Sequence, residues 1–353
     1  MAYTAIDDPS AHFQTTLYTG NDTDDTSITN TGNSDLQPDL VWIKERSSTS
    51  SHFITDSSRG AGVVMYPDTE VGEGTNTQLF TSFNSDGFTV GDTGQGNDDG
   101  ETYVAWQWKC NGGTTETAVD ESGDNPANVR QTNATAGFSI ITSTGTGGAG
   151  TIAHGLGAVP HWIISKGRSD SGAWAVNHQG NTAAPETDFL NLASDGATTD
   201  SNTYYNDTAP TSSVFTLGTT NDVNGDARTY VHYLWTEIQG YSKFGSYTGN
   251  GSTNGPFYYT GFKPAWLMIK NLASGESWEM WDNARDPDNV VTLRLKADDA
   301  GAAASGTFMD FVSNGVKHRN YSGGHNNNGE SYIYMAFAAS PFVTSNGTPT
   351  NAR

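Results

Sequence analysis

The sequence predicts an all-β protein of three tandem antiparallel β-sandwich modules, jelly-roll-like and with little helix. Three observations carry that expectation. A short apolar strand opened by proline and closed by lysine occurs three times, as PDLVWIK at 38–44, PHWIISK at 160–166 and PAWLMIK at 264–270. Recurrence at about one hundred residues points to a duplicated unit. The apolar runs are short, rich in Val, Ile, Tyr, Trp and Phe, and often alternate, as half-buried strands do. Gly, Ser, Thr, Asn and Asp fill the gaps, which is turn chemistry.

Residues 1–11 read as a leader, and the first module spans 12–110. An opening turn ends in glycine in each copy, at Gly20, Gly145 and Gly249. The proline-to-lysine strand is apolar on both faces, so it is expected to be central, between two layers. Its leading proline fits because the first residue of a strand need not donate to the ladder. Eight residues past each lysine stands a ring, His52, Trp174 or Trp278; four further on stand Asp56, His178 and Asp282. Arg59 and Arg285 follow in copies one and three.

A hairpin closes each copy, its second arm reading TYVAWQW at 102–108, TYVHYLW at 229–235 and SYIYMAF at 331–337. One of the two alternating faces of that arm is expected to be core. Asn224-Gly225 and Asn328-Gly329 are hairpin-turn signals. Together these marks imply about seven to ten strands per module in two antiparallel sheets. Residues 111–135 show no apolar strand and read as an extended linker. The second module spans 136–238 and the third 239–340; their short joint implies that they pack together. A polar tail, 341–353, completes the chain, and the one candidate helix is a short one within 289–303.

Composition excludes several classes. Lys and Arg number 17 against 39 Asp and Glu, a net charge of −22. That surface repels nucleic acid and anionic lipid, so neither is expected as a partner. With Cys110 alone there is no internal disulfide. No apolar run follows Met1, so no Sec-type signal peptide is expected, and no run of eighteen apolar residues is present to span a membrane as a helix.

Candidate chemistry is sparse. Asp222, Asn224 and Asp226 alternate as oxygen donors do in calcium loops, without the glutamate such loops place at position twelve. Loosely bound calcium is therefore the one cofactor considered. The eight histidines lack zinc-protease spacing, and one cysteine cannot build a structural zinc site. Asp56 and Asp282 each precede an arginine by three residues, which reads as an ion pair or a bonded turn rather than a glycosidase carboxylate pair. No nucleophile elbow, phosphate loop or dinucleotide fingerprint is present, so no enzymatic activity is expected. Among the tryptophans, Trp42, Trp106, Trp162 and Trp266 belong to core strands. Trp174, Trp278 and Trp281 lie on a less apolar strand and are the better candidates for stacking on sugar rings, though packing is the favoured role even there.

The stretches LYTGNDTDDTSITNTG, QPDLVWIKERSSTSSHFITDSSRG, LFTSFNSDGFTV, GETYVAWQWKCNGG and SYIYMAFAASPF, with AHGLGAVPHWIISK and EIQGYSKFGSYTGNGSTNGPFYYTGFKPAWLMIK between them, carry a resemblance. They resemble a repeat family in tail and appendage proteins of marine tailed phages, notably those of cyanobacteria and abundant ocean bacteria. The resemblance covers nearly the whole chain and implies a virion structural protein, a homo-oligomer made in the host cytoplasm, whose partners are other virion proteins and a host-surface glycan or protein. It brings no catalytic residues. With no coiled-coil segment or separate attachment domain in evidence, a compact knob, whisker or capsid decoration is expected rather than a long fibre. A decoration protein without receptor binding is the alternative, and a lectin or glycan-active enzyme the third reading.

Overall fold

The computed structural model describes residues 2–117, 123–273 and 275–350. The chain is nearly all β, 42% strand and 4% helix, in several antiparallel sheets. One four-strand order occurs three times. In the first repeat Phe13–Thr19, Thr102–Trp108, Leu40–Glu45 and Phe53–Asp56 lie side by side in that order. In the second they are Phe138–Thr144, Thr229–Trp235, Trp162–Gly167 and Trp174–His178. In the third they are Ser242–Thr248, Ser331–Pro341, Phe262–Asn271 and Glu279–Asp282. The strand ending in lysine is thus flanked on both sides, as its two apolar faces imply.

Those two faces serve different cores. Side chains alternate across a strand, so Trp42, Val104, Trp106 and Trp108 point one way and Val41, Ile43, Tyr103 and Ala105 the other. The second set packs in a core confined to the first repeat, with Phe53, Phe80 and Phe88. The first set joins one cluster drawn from all three repeats, which includes Trp162, Tyr233 and Trp235 of the second and Trp266, Met268 and Phe337 of the third. Each later repeat has its own smaller core as well. Eight of the nine tryptophans lie in the shared cluster, so they form the joint between repeats rather than an outer surface. Where repeats meet, some rings pack edge to face, as Trp108 and Trp266 do at 5.8 Å and 90°, and others stack, as Trp162 and Trp266 do at 6.3 Å and 22°. The expectation that one face of the closing arm is core is corrected: both faces are buried, because the neighbouring repeats cover the one that would otherwise meet water.

Short strands complete each repeat on its outer side. They include Thr26–Ile28 with Gly87–Val90 in the first, Gly150–Ala153 with Val214–Leu217 in the second, and Phe257–Tyr259 with Gly315–His318 in the third. Three local expectations differ from the structure. Within 111–135 lies the strand Ala127–Asn133, paired along its length with Phe138–Thr144. It is held by backbone pairing rather than by an apolar face, so hydropathy alone does not reveal it. Within 289–303 the chain forms the strand Val291–Lys296, β-branched at its start, instead of a helix. The leader is packed: Ile6 and Pro9 are buried and Tyr3 donates to the Gly261 carbonyl at 2.8 Å.

Candidate functional site

The polar side chains that recur from repeat to repeat meet at the three joints, in tiers. In the first tier are Lys44, Lys166 and Lys270, all fully buried. Lys166 donates to the Glu70 carbonyl of the first repeat at 3.0 Å and to that of Gly172 at 2.9 Å. Lys270 donates to the Asp195 carbonyl of the second repeat at 3.0 Å and to those of Asn271 and Glu276 at 2.9 and 2.7 Å. Lys44 donates to the Glu45 and Ser48 carbonyls and is attracted by Asp299 of the third repeat. Lys166 and Lys270 therefore each bond the repeat before them, and Lys44 is drawn toward the third repeat by charge alone. Burial brings all three ammonium groups down to about 8.

The second tier is the ring position. Trp174 donates its indole N–H to the Tyr66 and Thr69 carbonyls at 3.2 and 3.0 Å, and Trp278 donates to that of Asn191 at 3.0 Å. All three acceptors again belong to the preceding repeat. His52 lies beside the backbone of Lys296 and Asp299 and accepts the Trp42 N–H on Nδ1 at 2.9 Å.

The third tier runs the other way around the ring. Asp56 pairs with Arg59 at 2.5 Å and accepts the Tyr233 hydroxyl of the second repeat at 2.6 Å. Asp282 pairs with Arg285 at 2.6 Å and accepts the Trp106 N–H of the first repeat at 3.1 Å. Both ion pairs are fully buried. At the equivalent place His178 bonds the Tyr334 carbonyl of the third repeat at 3.2 Å and accepts the Gly180 N–H on Nδ1 at 3.0 Å. This explains why the second copy lacks aspartate. The facing residue is Trp106 or Tyr233 in two joints; the equivalent position of the third closing arm is Met335, and methionine has no proton to give. A carboxylate there would be buried without its donor, a costly state. A neutral imidazole donating to backbone fits instead, and burial holds His178 at about 3.

A fourth recurring set was not recognised as a set in the sequence, although Asn224 was named there as a turn and calcium-loop residue. Asn97, Asn224 and Asn326 each stand six residues before the tyrosine of the closing arm and are fully buried. Asn97 donates to the Thr23 and Gly91 carbonyls at 2.9 and 2.8 Å, and its side-chain oxygen accepts the Asn21 N–H at 3.0 Å. Asn224 and Asn326 make the same pattern of bonds. The turn glycine beside each is needed for close approach: a Cβ on Gly20, Gly145 or Gly249 would meet a carbonyl oxygen at 2.1, 2.3 or 2.2 Å. The constant six-residue spacing was the signal that could have found the asparagines.

The structure separates the other candidates from solvent or from each other. Trp174, Trp278 and Trp281 are fully buried, so none offers a face to a sugar ring. The neighbouring repeat covers the first two, and Phe308 and His325 pack against Trp281, each at 5.7 Å. Asp222 accepts from the Tyr204 hydroxyl at 2.7 Å, Asn224 is spent on its carbonyl clamp, and Asp226 is exposed, so the three do not converge on a cation. Among the described residues no group of three or more His, Cys, Asp or Glu side chains is placed to hold a metal. The third repeat also buries a charged network in which Glu279 meets Arg294 and His325, the latter at 2.7 Å. Burial pushes the Glu279 carboxyl up, but His325 and Arg294 outweigh it and hold it below the usual range.

The chain belongs to the family described as Domain of unknown function (DUF7483), which matches residues 8–341. The DUF7483 span begins at Asp8, the cap of the turn before the first strand, and ends at Pro341, the last residue of the last strand. One family unit therefore takes in all three repeats and the joints between them. No curated protein and no solved structure matches the chain.

Proposed function

We propose that this protein is a structural component of a tailed-phage particle, an appendage at the tail or particle surface that contributes to contact with the host. Each repeat is read as a small jelly-roll-like sandwich, and the three are locked into one body. The observation that carries the reading is the use made of the recurring polar residues. The lysines, ring residues, aspartates and asparagines are buried and bonded to backbone or to a neighbouring repeat. A chain that invests its recurring chemistry in joints is suited to durability, and its binding falls to the outer surface. There Phe257 and Tyr259 are half exposed and Tyr321 is 64% exposed, so aromatic contact with a host glycan or protein is assigned to them rather than to the buried tryptophans. The resemblance to marine phage appendage proteins supports the same reading, as does the acidic surface, which disfavours nucleic acid.

The test is to locate the chain on particles by cryo-electron microscopy with an antibody fragment raised against it. Label at the tail end supports host contact. Label spread over the capsid supports the decoration alternative. Absence from particles would overturn the virion reading.

A further inference from the structure

We propose that the free sheet edge of the first repeat is a docking slot, in which an extended segment of a partner polypeptide adds as a β-strand. The three repeats treat this edge differently. In the second, the edge strand Phe138–Thr144 is covered by Ala127–Asn133, with Phe138 opposite Asn133, Ile140 opposite Gln131 and Thr142 opposite Val129. The covering strand lies between two further walls. One is the 56–59 turn of the first repeat, where Ser57 and Ser58 accept from Gln131 at 2.8 and 2.7 Å. The other is the end of the Gly150–Ala153 strand, where the Ala153 and His154 carbonyls accept from Arg130 and Thr132 at 3.0 and 3.2 Å.

In the first repeat the equivalent edge strand, Phe13–Thr19, has no strand beside it among the described residues. Both walls are nevertheless in place. Asn283 and Ala284 of the third repeat stand where Ser57 and Ser58 stand, and Thr29 and Asn30 where Ala153 and His154 stand. Between them and the edge lie two adjoining hollows of about 510 and 290 Å³ that share Thr15, Thr31 and Asn283. In the third repeat the slot is closed, since a Cβ on Gly180 of the facing turn would come within 3.3 Å of the Gly245 backbone. One slot is filled, one is closed and one is open.

The open edge is chemically ready for a strand. Gly20 N–H bonds the Glu101 carbonyl and Lys109 N–H bonds that of His12. By antiparallel alternation Phe13, Thr15, Leu17 and Thr19 then turn their N–H and C=O groups outward. The residues before Phe13 do not fill the slot: Tyr3 is bonded to Gly261, and Pro9–Ala11 form a short 3-10 turn. The occupant proposed is a segment of another molecule. Main-chain bonds supply the affinity in such additions, and the walls select the side chains. No charged side chain lines either hollow, while the molecule carries −22, so a neutral or basic segment is favoured over an acidic one. The strand in the filled slot, ANVRQTN, has one arginine and no acid.

The test uses the full chain and, as probe, a synthetic peptide of residues 125–135, in millimolar excess, with residue-resolved amide hydrogen exchange. The peptide should slow exchange at Phe13, Thr15, Leu17 and Thr19 by about ten-fold or more and leave Phe138–Thr144 unchanged. Leu17→Pro removes one outward donor at an edge position where proline is tolerated, and it should abolish the protection. Ala284→Arg obstructs the slot from the opposite wall without touching the edge and should do the same. The proposal is overturned if the four amides are already as slow in the free protein as those of Phe138–Thr144. It is equally overturned if the peptide leaves them unchanged, or if both variants bind it as the parent does.

Discussion

Removing the Asp282 carboxylate should unfold much more than the third repeat. Asp282→Ala strands the buried Arg285 guanidinium and takes the acceptor from the Trp106 indole, which belongs to the first repeat. Leaving one member of a buried ion pair alone costs about 3–5 kcal/mol, and orphaning a buried donor about 1–3 kcal/mol. The two losses share one site and do not add fully, so the expected total is about 5 kcal/mol. That is a large part of the stability of an ordinary domain, about 5–15 kcal/mol. Asp282→Asn keeps an acceptor for Trp106 and should lose less, about 3 kcal/mol. Urea titrations followed by tryptophan fluorescence and far-ultraviolet circular dichroism measure both. The midpoint should fall with the slope unchanged and the two signals coincident. A loss below about 1 kcal/mol in the alanine variant, or an early transition carrying only part of the signal, would refute the claim that this carboxylate ties two repeats together.

Three more expectations follow from the joints. Gly249→Ala drives a Cβ to 2.2 Å from the Asn327 carbonyl and should cost more than about 2 kcal/mol, whereas Gly329→Ala, at φ +79° with nothing near, should cost about 1 kcal/mol; equal losses in thermal unfolding would contradict the close-approach argument. Lys166 sits at about 8 when folded against an ordinary 10.5, so its burial penalty is fully present below pH 8 and is relieved as pH rises toward 10.5. The stability difference between the parent and Lys166→Met should accordingly move in the parent's favour between pH 8 and 10, and a flat difference would count against a buried ammonium at this joint. His232, held near 3 by burial and bonded to Ser143 and Ser165, is neutral in the fold but protonates in the unfolded chain below its ordinary 6.5. The parent should therefore lose stability as pH falls from 6.5 toward 3, with a slope that His232→Asn reduces by one proton.

The sequence made the β class and the three-fold recurrence legible because strand period and spacing are local signals. It also placed the lysine-ended strand at the centre of its sheet, since Leu40, Val41, Trp42 and Ile43 leave no polar face. The shared core was not legible. Alternation in 102–108 tells that Val104, Trp106 and Trp108 lie on one face, but not that a second and a third repeat cover it. What Trp174 and Trp278 pack against was hidden for the same reason: carbonyls from the preceding repeat, about a hundred residues away, satisfy and bury them. Ala127–Asn133 was missed because its strand is secured by Gln131, Arg130 and backbone pairing rather than by a hydrophobic stripe. The aspartate-arginine pairs were read correctly as bonded turns, while their partners across the joint, Tyr233 and Trp106, could come only from the fold.

The central claim is that the three repeats form one body around one core. Native-state hydrogen exchange under rising low concentrations of denaturant tests it most directly, read on Leu40–Glu45, Trp162–Gly167 and Phe262–Asn271, the central strand of each repeat. The account predicts that the slowest amides of all three strands share one opening free energy and one denaturant dependence. Three separate values, with one strand opening while the others stay protected, would contradict it.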